Sequence, residues 1–379
     1  MGIDFAPSER SGLGIEWEVA CVDRRSGELT AAAPELISRI GATSTFPRVT
    51  NELLTNTVEI ISAPHRRVRD AVGDLTRLAE RATTLAEPMG VDLLSSGTHP
   101  FSQWFRQQVT PGKPRYDTLI DRTRWWGRQM MIWGVHVHVG VEDRRKVLPI
   151  IDGLLTWLPH FQALSASSPF WAGETTGYAS NRALMFQQLP TAGLPPQFSD
   201  WAQFEGMVAD LMHTGVIEEL NELRWDIRPS PSWGTIEVRT FDGIPTVREI
   251  AALAALTQCL VEHLSRELDA GREVPRMQPW FVRENKWRAA RYGMDAIIIR
   301  NAAGDEQLVT KDLEELLLSL APIAESLDCA AELDSLREIV THGASYQRQL
   351  RAAAASDGSL KAVVSSLVRE MRDDLGRGR

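Results

Sequence analysis

Four short segments of the chain alternate between apolar and polar residues with a period of two. Successive side chains of a β-strand point to opposite faces, so the alternation predicts strands with one apolar and one polar face. The polar positions carry carboxylates, imidazoles and a guanidinium, and they are Glu16, Glu18, Glu59, His136, His138, Glu237 and Arg239. The apolar positions between them are Ile15, Trp17, Val19, Val135, Val137, Val139, Ile236 and Val238. We therefore predict a sheet that packs one face on a core and presents the other as the floor of a polar site.

Apolar residues at helical spacing predict helices over 65–87, 116–126, 146–166, 202–223 and 247–268, and helices dominate from 311 onward. Residues 169–196 are rich in Gly, Thr, Ser and Pro, and we interpret them as a substrate loop or lid. The chain lacks both a regular βαβ repeat and a Gly-x-Gly-x-x-Gly motif. An α+β fold, with an antiparallel sheet and helices packed on one face, is the expected architecture. Since we find no clear linker, we expect residues 1–379 to form a single domain, with a mainly helical C-terminal part from about 305.

Composition and charge narrow the class of protein. A formal charge of −9 on 379 residues argues against a nucleic-acid-binding surface. No apolar run approaches the roughly 20 residues that cross a bilayer, and the N-terminus lacks the apolar core of a signal peptide. Three widely separated cysteines without a Cys-x-x-Cys motif indicate free thiols in a reducing compartment. We expect a cytoplasmic protein that binds small molecules.

The acidic residues of the predicted floor favour a divalent cation. Glu16, Glu18, Glu52, Glu59 and Glu237 repel one another unless a positive charge compensates them. Carboxylate oxygens are hard ligands that suit Mg²⁺ or Mn²⁺, commonly together with substrate phosphates. Such ions would neutralise and position the triphosphate of ATP. A solvated strand face is the alternative for any one of these glutamates taken singly.

The imidazoles leave two interpretations open. His136 and His138 have the spacing with which two residues of one strand share a zinc ion, although no cysteine or aspartate accompanies them. His138 is also a candidate for the single imidazole that a Mg²⁺ or Mn²⁺ site tolerates. A histidine hydrogen-bonded within the sheet is the alternative for His136.

Arginine and lysine residues supply candidate anion contacts. Arg228 and Arg239 lie on adjacent predicted strands, and guanidinium groups recognise carboxylate or phosphate in a bidentate manner. A salt bridge within the sheet is the alternative. Lys286 and Arg288 lie in a basic cluster within 284–293 that we expect to contact the nucleotide phosphates, with a solvated helix face as the alternative.

The order of motifs along the chain resembles a known family. The motifs are Gly-Ile-Glu-Trp-Glu at 14–18, Glu52 with Val-Glu-Ile at 58–60, Gly-Thr-His-Pro at 97–100, His-Val-His-Val-Gly at 136–140, Ser-Pro-Phe-Trp-Ala-Gly at 168–173, Thr-Gly-Tyr at 176–178, Trp-Asp-Ile-Arg-Pro at 225–229, Gly-Thr-Ile-Glu-Val-Arg at 234–239 and Glu-Asn-Lys-Trp-Arg at 284–288. Together they resemble the carboxylate–amine ligases of the type-2 glutamate–cysteine ligase family over about residues 12–350. Each motif is weak alone, and their number and order make the resemblance specific.

The resemblance implies a fold and a reaction. The expected fold is that of glutamine synthetase, in which an antiparallel sheet forms a funnel with helices outside. The implied reaction is phosphorylation of a substrate carboxylate by ATP and attack of an amine on the acyl phosphate, with glutamate as the acid and cysteine as the default amine. The resemblance implies metal-ligand roles for Glu16, Glu18, Glu52, Glu59, His138 and Glu237. It implies that Arg239 stabilises the transferring phosphoryl group and that Arg228 holds a substrate carboxylate or phosphate.

Two positions depart from the family pattern, and several functions compete. Trp17 stands where many relatives have a third acid, and we expect its side chain to point into the core. Trp133 stands where relatives often have a cysteine, and we expect it to change the shape of an outer pocket. The rival functions are an ATP–guanidino phosphotransferase, a hydrolase whose metal binds His136 and His138, and a catalytically silent nucleotide or amino-acid sensor. A homo-oligomer is expected, because a second subunit often covers exposed strand edges. We also expect Glu237→Gln to lower turnover far more than folding stability.

Overall fold

A computed structural model describes residues 2–41 and 43–377 of the chain. Its strands are β1 (Leu13–Asp23), β2 (Arg48–Asn51), β3 (Thr57–Ile61), β4 (Val91–Leu94), β5 (Gly134–Gly140), β6 (Phe170–Trp171), β7 (Glu174–Thr175), β8 (Ala192–Gly193), β9 (Arg224–Trp225), β10 (Ile227–Ser230), β11 (Thr235–Asp242), β12 (Ile297–Ile299) and β13 (Glu306–Leu308). The four predicted polar-faced segments fall on β1, β3, β5 and β11, which confirms the strands that the period-two alternation predicted.

Helices make up most of the rest of the described chain. They are α1 (Ala33–Ile40), α2 (Val68–Ala86), α3 (Pro114–Thr123), α4 (Trp125–Arg128), α5 (Arg144–Leu154), α6 (Leu158–Ser165), α7 (Asn181–Phe186), α8 (Trp201–His213), α9 (Val247–Asp269), α10 (Pro279–Tyr292), α11 (Val309–Ser326), α12 (Ala330–Asp334), α13 (Leu336–His342), α14 (Ser345–Ala354) and α15 (Leu360–Arg377). Short 3₁₀ turns occupy Glu87–Met89, Trp104–Arg106, Leu220–Glu222 and Gly293–Asp295. The single helix predicted over 146–166 is two helices, because α6 begins anew with Pro159 in its first turn.

The central sheet has seven strands in the order β10-β11-β5-β1-β3-β2, with β4 paired to the last part of β1. Every pairing in this sheet is antiparallel. Together with the helices, this arrangement confirms the predicted α+β class.

The apolar face of the sheet carries the main core. Ile15, Trp17, Val137 and Val238 are fully buried there. Helices α2, α6 and α9 pack against this face, and α9 is buried along nearly its whole length. The indole of Trp17 donates a hydrogen bond of 3.0 Å to the Ile244 carbonyl within the core. The prediction that Trp17 points away from the polar site is therefore confirmed.

The register of β11 changes within the sheet. Val238 pairs with Val137, and the next pair along the strands is Phe241 with Val135. Two residues of β11, Arg239 and Thr240, therefore oppose a single residue of β5, which is the arrangement of a β-bulge. The bulge lies at the same level as the charged residues of the polar face.

The segment predicted as a loop over 169–196 contains α7 and three very short strands. It is fixed to the body of the protein at Ser180, whose hydroxyl donates to Asp242 at 2.8 Å and whose amide donates to the Ala290 carbonyl at 2.9 Å. Ser180 is also the N-cap of α7, accepting a hydrogen bond from the Ala183 amide. These contacts hold one face of α7 against the sheet.

Among the residues that the structure describes, we find no helix with the length and apolar character needed to span a membrane.

Candidate active site

The polar face of the sheet is the floor of a cavity of about 1730 Å³. The polar residues predicted to share this face all line the cavity, and they are Glu16, Glu18, Glu52, Glu59, His136, His138, Arg228, Glu237 and Arg239. Helix α3 forms one wall, and residues 218–233 form another. The alternation in the sequence therefore located the floor, and the strand pairing explains how its side chains meet.

One row of side chains crosses four strands. Arg228 pairs with Glu237, Glu237 with His138, and His138 with Gly14. Because Gly14 has no side chain, Glu16 is the group of β1 that reaches His138, with Glu16 Oε1 3.5 Å from His138 Nε2. The same Nε2 atom lies 3.8 Å from Glu237 Oε2. Burial would lower the pKa of His138, but the two carboxylates outweigh it and raise that pKa above its usual range.

A second row joins Glu16 and His136, which are direct partners across β1 and β5. His136 Nδ1 lies 2.9 Å from Glu16 Oε2. Burial, followed by the positive charge of Arg239, lowers the pKa of His136 to about 4. Burial alone would raise the pKa of Glu16, but hydrogen bonds with His136 and His138 hold it below its usual range. This row therefore consists of an ionised carboxylate and a neutral imidazole at neutral pH.

A third group consists of carboxylates alone. Glu18 and Glu59 are paired residues of β1 and β3, and Glu52 lies in the loop just after β2. Burial and then the charge of Glu52 raise the pKa of Glu18 to about 7. Burial and three neighbouring carboxylates raise the pKa of Glu59 well above its usual range. This end of the cavity floor therefore holds acids that the protein's own cations do not neutralise.

Within the described part of the chain, three overlapping sets of residues have ligand atoms within 4.8 Å of one another, close enough to hold metal ions. The sets are Glu16 with His138 and Glu237, Glu16 with Glu59 and His136, and Glu18 with Glu52 and Glu59. Glu16 and Glu59 each belong to two sets, so neighbouring ions would share their carboxylates. Oxygen-rich sets with at most one imidazole match the preference of Mg²⁺ or Mn²⁺ better than that of zinc.

Glu237 is bound by two arginines. Its Oε2 accepts a hydrogen bond of 2.7 Å from Arg228 Nε, and its Oε1 accepts one from Arg239 Nη1. Burial would raise the pKa of Glu237, but Arg228 and Arg239 hold it well below its usual range. Arg228 Nη1 also donates to the carbonyls of Asn221 and Leu223, at 2.7 and 2.6 Å. Much of the Arg228 guanidinium is therefore engaged by the protein, which leaves less of it for a substrate than the sequence analysis expected.

The two residues expected to contact the nucleotide lie elsewhere. Lys286 is buried on α10, where its Nζ lies 2.6 Å from Asp226 Oδ2. Arg288 pairs with Glu284 and Glu306 near the protein surface. Neither residue lines the cavity. This placement does not support the expected phosphate contacts. The alternative, a solvated helix face, fits the half-buried Arg288 but not Lys286, which is buried against Asp226.

Two further residues, Arg182 and Trp133, lie where the sequence analysis did not expect them. Arg182 of α7 lines the cavity beside Arg239, although the sequence analysis did not select it. The sequence contains little indication of this position. A Ser N-cap followed by Asn and Arg predicts the start of a helix but not the direction of the arginine side chain. Trp133 is fully buried and donates to Thr57 Oγ1 at 2.8 Å. Trp133 therefore does not line an outer pocket as expected.

The chain is similar to known proteins along nearly its whole length. Residues 12–366 match the model of glutamate–cysteine ligase family 2. A relative from Clavibacter michiganensis subsp. michiganensis, provisionally named glutamate–cysteine ligase 2, is 63% identical over 377 residues, which is 100% of this chain and 98% of the relative.

Two solved structures share the fold at 14% sequence identity. One is the glutamate–cysteine ligase of Francisella tularensis in complex with AMP, with a TM-score of 0.66 over 99% of this chain and 95% of that one. The other is a bifunctional glutathione synthetase from Pasteurella multocida, with a TM-score of 0.70 over 96% of this chain and 52% of that one. At this identity the two structures establish the fold alone.

Proposed function

The chain belongs to glutamate–cysteine ligase family 2, and we propose that it uses ATP to join the γ-carboxylate of glutamate to the amino group of cysteine. As a member of this family it is a ligase of the glutamate–cysteine type. One observation carries the proposal: three overlapping carboxylate and imidazole sets share a cavity floor with cationic side chains. A triphosphate that reacts with a carboxylate needs both kinds of group, because negative charge accumulates on the transferring phosphoryl group.

The acidic end of the floor fits a divalent cation. Glu18, Glu52 and Glu59 are packed together, and their raised pKa values arise from burial and from repulsion by neighbouring carboxylates, among them Glu16. A bound cation removes this repulsion and lets all three groups ionise. We propose that these residues, together with Glu16, His138 and Glu237, hold Mg²⁺ or Mn²⁺. Such ions would neutralise and orient the phosphates of ATP.

The proposed reaction has two steps. In the first, a γ-carboxylate oxygen of glutamate forms a bond to the γ-phosphorus of ATP. The bond between that phosphorus and its bridging oxygen breaks, and ADP leaves with the electron pair. In the second, the amine nitrogen attacks the acyl carbon and loses a proton, and phosphate leaves with the electron pair of the carbon–oxygen bond. The products are an amide, ADP and phosphate.

The protein's own residues have distinct proposed roles. Arg239 stands beside the phosphoryl group and stabilises its negative charge, which develops most fully during transfer. Glu237 fixes the orientation of Arg239 through their ion pair. Arg228 holds the other oxygen of Glu237 and so positions that carboxylate, rather than binding substrate alone. His136, neutral at physiological pH, orients Glu16 through its Nδ1 contact.

ADP release measured with Mg²⁺ and ATP, with and without L-glutamate, across a panel of amines, tests the proposal. We expect ADP formation to require glutamate and an amine, with cysteine giving the fastest rate and a matching amide detected by mass. Phosphorylation of an amine without glutamate would instead favour the guanidino phosphotransferase. Binding of ATP without turnover under any of these conditions would favour the sensor.

Two matched variants connect this activity to the cavity floor. Glu59→Gln removes a carboxylate that two metal-binding sets share, and we expect turnover to fall by at least about 100-fold, since metal stabilisation of the transition state is worth several kcal/mol. Glu284→Gln makes the same chemical change at a surface ion pair outside the cavity. Equal rates in both variants would contradict the assignment of the floor as the active site.

A further inference from the structure

Arg182 carries a buried charge without a direct counter-ion. Its side chain lines the cavity, and only 4% of the residue is exposed. Its Nη1 and Nη2 atoms both lie 3.4 Å from one acceptor, the Arg239 carbonyl, and its Nε atom has no hydrogen-bond partner. Within residues 2–41 and 43–377, no carboxylate lies within 4.0 Å of this guanidinium. A guanidinium that is buried with so few partners costs several kcal/mol of folding free energy.

The nearest acids are occupied by other groups. Asp242 accepts hydrogen bonds from the Ser167 amide and from the hydroxyls of Ser168 and Ser180, at 2.9, 2.7 and 2.8 Å. Glu18 accepts the Gly134 amide at 2.5 Å. These contacts leave the guanidinium of Arg182 at the cavity wall without a carboxylate partner. Burial also lowers the pKa of Arg182, which is the expected response of a cation that lacks a close partner.

A second incompletely satisfied guanidinium lies beside the first. Arg239 pairs with Glu237 through Nη1, but its Nε atom has no hydrogen-bond partner. The guanidinium carbons of Arg182 and Arg239 lie 5.7 and 6.0 Å from the centre of the Phe186 ring. Two neighbouring cations with unused N–H groups repel each other unless an anion lies between them or next to both. The pair therefore forms a built site for an anion with several oxygens.

We propose that Arg182 acts with Arg239 as a second catalytic arginine, and that both donate to the γ-phosphoryl group while it moves from ATP to the substrate carboxylate. This inference rests on the proposed function and assigns a role to a residue outside the family motifs quoted above. A transferring phosphoryl group spreads its charge over three equatorial oxygens, which exceeds what one guanidinium can bind. A simple carboxylate, by contrast, is satisfied by one bidentate arginine. The adjacent Glu18 belongs to a metal-binding set, so cationic and metal-binding groups would flank the same phosphoryl group.

Gly134 fixes the position of this guanidinium. A Cβ atom on Gly134 would overlap Nη2 and Cζ of Arg182 and would touch the Phe241 carbonyl. Gly134→Ala therefore displaces the Arg182 side chain while leaving its charge in the protein. This variant therefore tests whether the position of the Arg182 charge matters, whereas Arg182→Gln tests whether the charge itself matters.

The test compares how ATP and ADP stabilise the protein, because only ATP carries the γ-phosphoryl group. Melting temperatures are measured for wild type, Arg182→Gln and Gly134→Ala with Mg²⁺ alone, with Mg²⁺ and ADP, and with Mg²⁺ and ATP, followed by steady-state ADP release. Arg348→Gln is the matched control, since Arg348 is a part-buried arginine that pairs with Glu249 and Glu370 away from the cavity.

We expect Arg182→Gln without nucleotide to be at least as stable as wild type, because it removes an uncompensated charge. Its additional stabilisation by ATP over ADP should disappear, and kcat should fall by about 100-fold or more, as for loss of one donor to a developing charge. The KM for glutamate should stay unchanged. Gly134→Ala should show the same nucleotide effect in a weaker form, and Arg348→Gln should lose stability but keep the preference for ATP.

Other outcomes would overturn the inference. An Arg182→Gln protein that keeps both the ATP preference and its turnover shows that Arg182 does not touch the phosphoryl group, while the proposed function stands. If Arg182→Gln raises the KM for glutamate but is still stabilised more by ATP than by ADP, then Arg182 binds the substrate carboxylate and not the phosphoryl group. Destabilisation like that of Arg348→Gln shows a structural role. If wild type gains nothing from ATP over ADP yet releases ADP when glutamate and cysteine are present, the inference fails while the proposed function stands.

Discussion

Replacing Glu18 with glutamine measures what burial and the neighbouring charge of Glu52 cost the ionised Glu18 carboxylate. The carboxyl group of Glu18 has a pKa of about 7 in the folded protein, against an ordinary value of 4.5. Because the folded state holds this proton more tightly than the unfolded state, wild-type stability is retained below pH 4.5 and falls as the pH rises toward 7. Glutamine cannot ionise, and it keeps an oxygen for the 2.5 Å contact with the Gly134 amide. The variant therefore removes the cost of burying a charge beside Glu52 without removing that hydrogen bond.

The magnitude follows from the pKa shift. At 1.36 kcal/mol for each unit, a shift from 4.5 to about 7 corresponds to about 3 kcal/mol, of which roughly 2.5 kcal/mol develops between pH 5 and pH 8. The assay is urea unfolding of wild type and Glu18→Gln in EDTA at several pH values. Subtracting the two curves removes the contributions of the other titrating groups. We expect the variant to gain stability over wild type steadily from pH 5 to pH 8.

Adding Mg²⁺ supplies the second half of the test. A bound cation favours the ionised carboxylates, so it should abolish the loss of wild-type stability at high pH and stabilise wild type more than the variant. A stability difference that does not change with pH in EDTA would refute the raised pKa of Glu18. A pH-dependent difference that Mg²⁺ leaves unchanged would refute the metal assignment and leave the raised pKa of Glu18 standing.

Variants of two buried ion pairs give further predictions, which urea unfolding and steady-state kinetics can check. Glu237→Gln should lower the free energy of unfolding by about 3–5 kcal/mol and also lower turnover, because Arg228 and Arg239 would remain buried without their shared carboxylate. A free energy of unfolding within about 1 kcal/mol of wild type would instead support the sequence-based expectation that turnover falls far more than stability. Lys286→Met should also lose about 3 kcal/mol, because Asp226 would keep a buried charge. Its KM for ATP should stay unchanged, and a large rise in that KM would restore the nucleotide role for Lys286.

The strand alternation was enough to predict most of the floor because its physical cause is local. In a strand, residues two apart share a face whatever the rest of the fold does. The positions of Glu16 and Glu18, or of His136 and His138, therefore required only that each segment be extended. That the four segments become neighbours follows from the antiparallel sheet, which the sequence indicated only through the missing βαβ repeat and the order of motifs.

Charges on helices and in loops were less predictable, because their direction depends on distant packing. Lys286 belongs to a conspicuous basic cluster, yet α10 turns it inward to meet Asp226. Arg182 lies in a segment that looked like a mobile loop, yet the Ser180 contacts with Asp242 and Ala290 hold α7 beside the sheet. Both outcomes depend on residues more than 50 positions away, which no local pattern encodes.

The bulge in β11 shows how a single insertion serves the core and the site together. Strict alternation from Glu237 would place Phe241 on the polar face with Arg239. With Arg239 and Thr240 opposing one residue of β5, the parity changes, and Phe241 enters the core, where its ring lies 5.3 Å from that of Phe161. The Arg239 amide donates to the Asp226 carbonyl at 2.8 Å, on the side of β11 that pairs with β10. Arg239 thus stays on the polar face beside Glu237, while Phe241 two residues later packs in the core. A regular strand of the same sequence would place both side chains on one face.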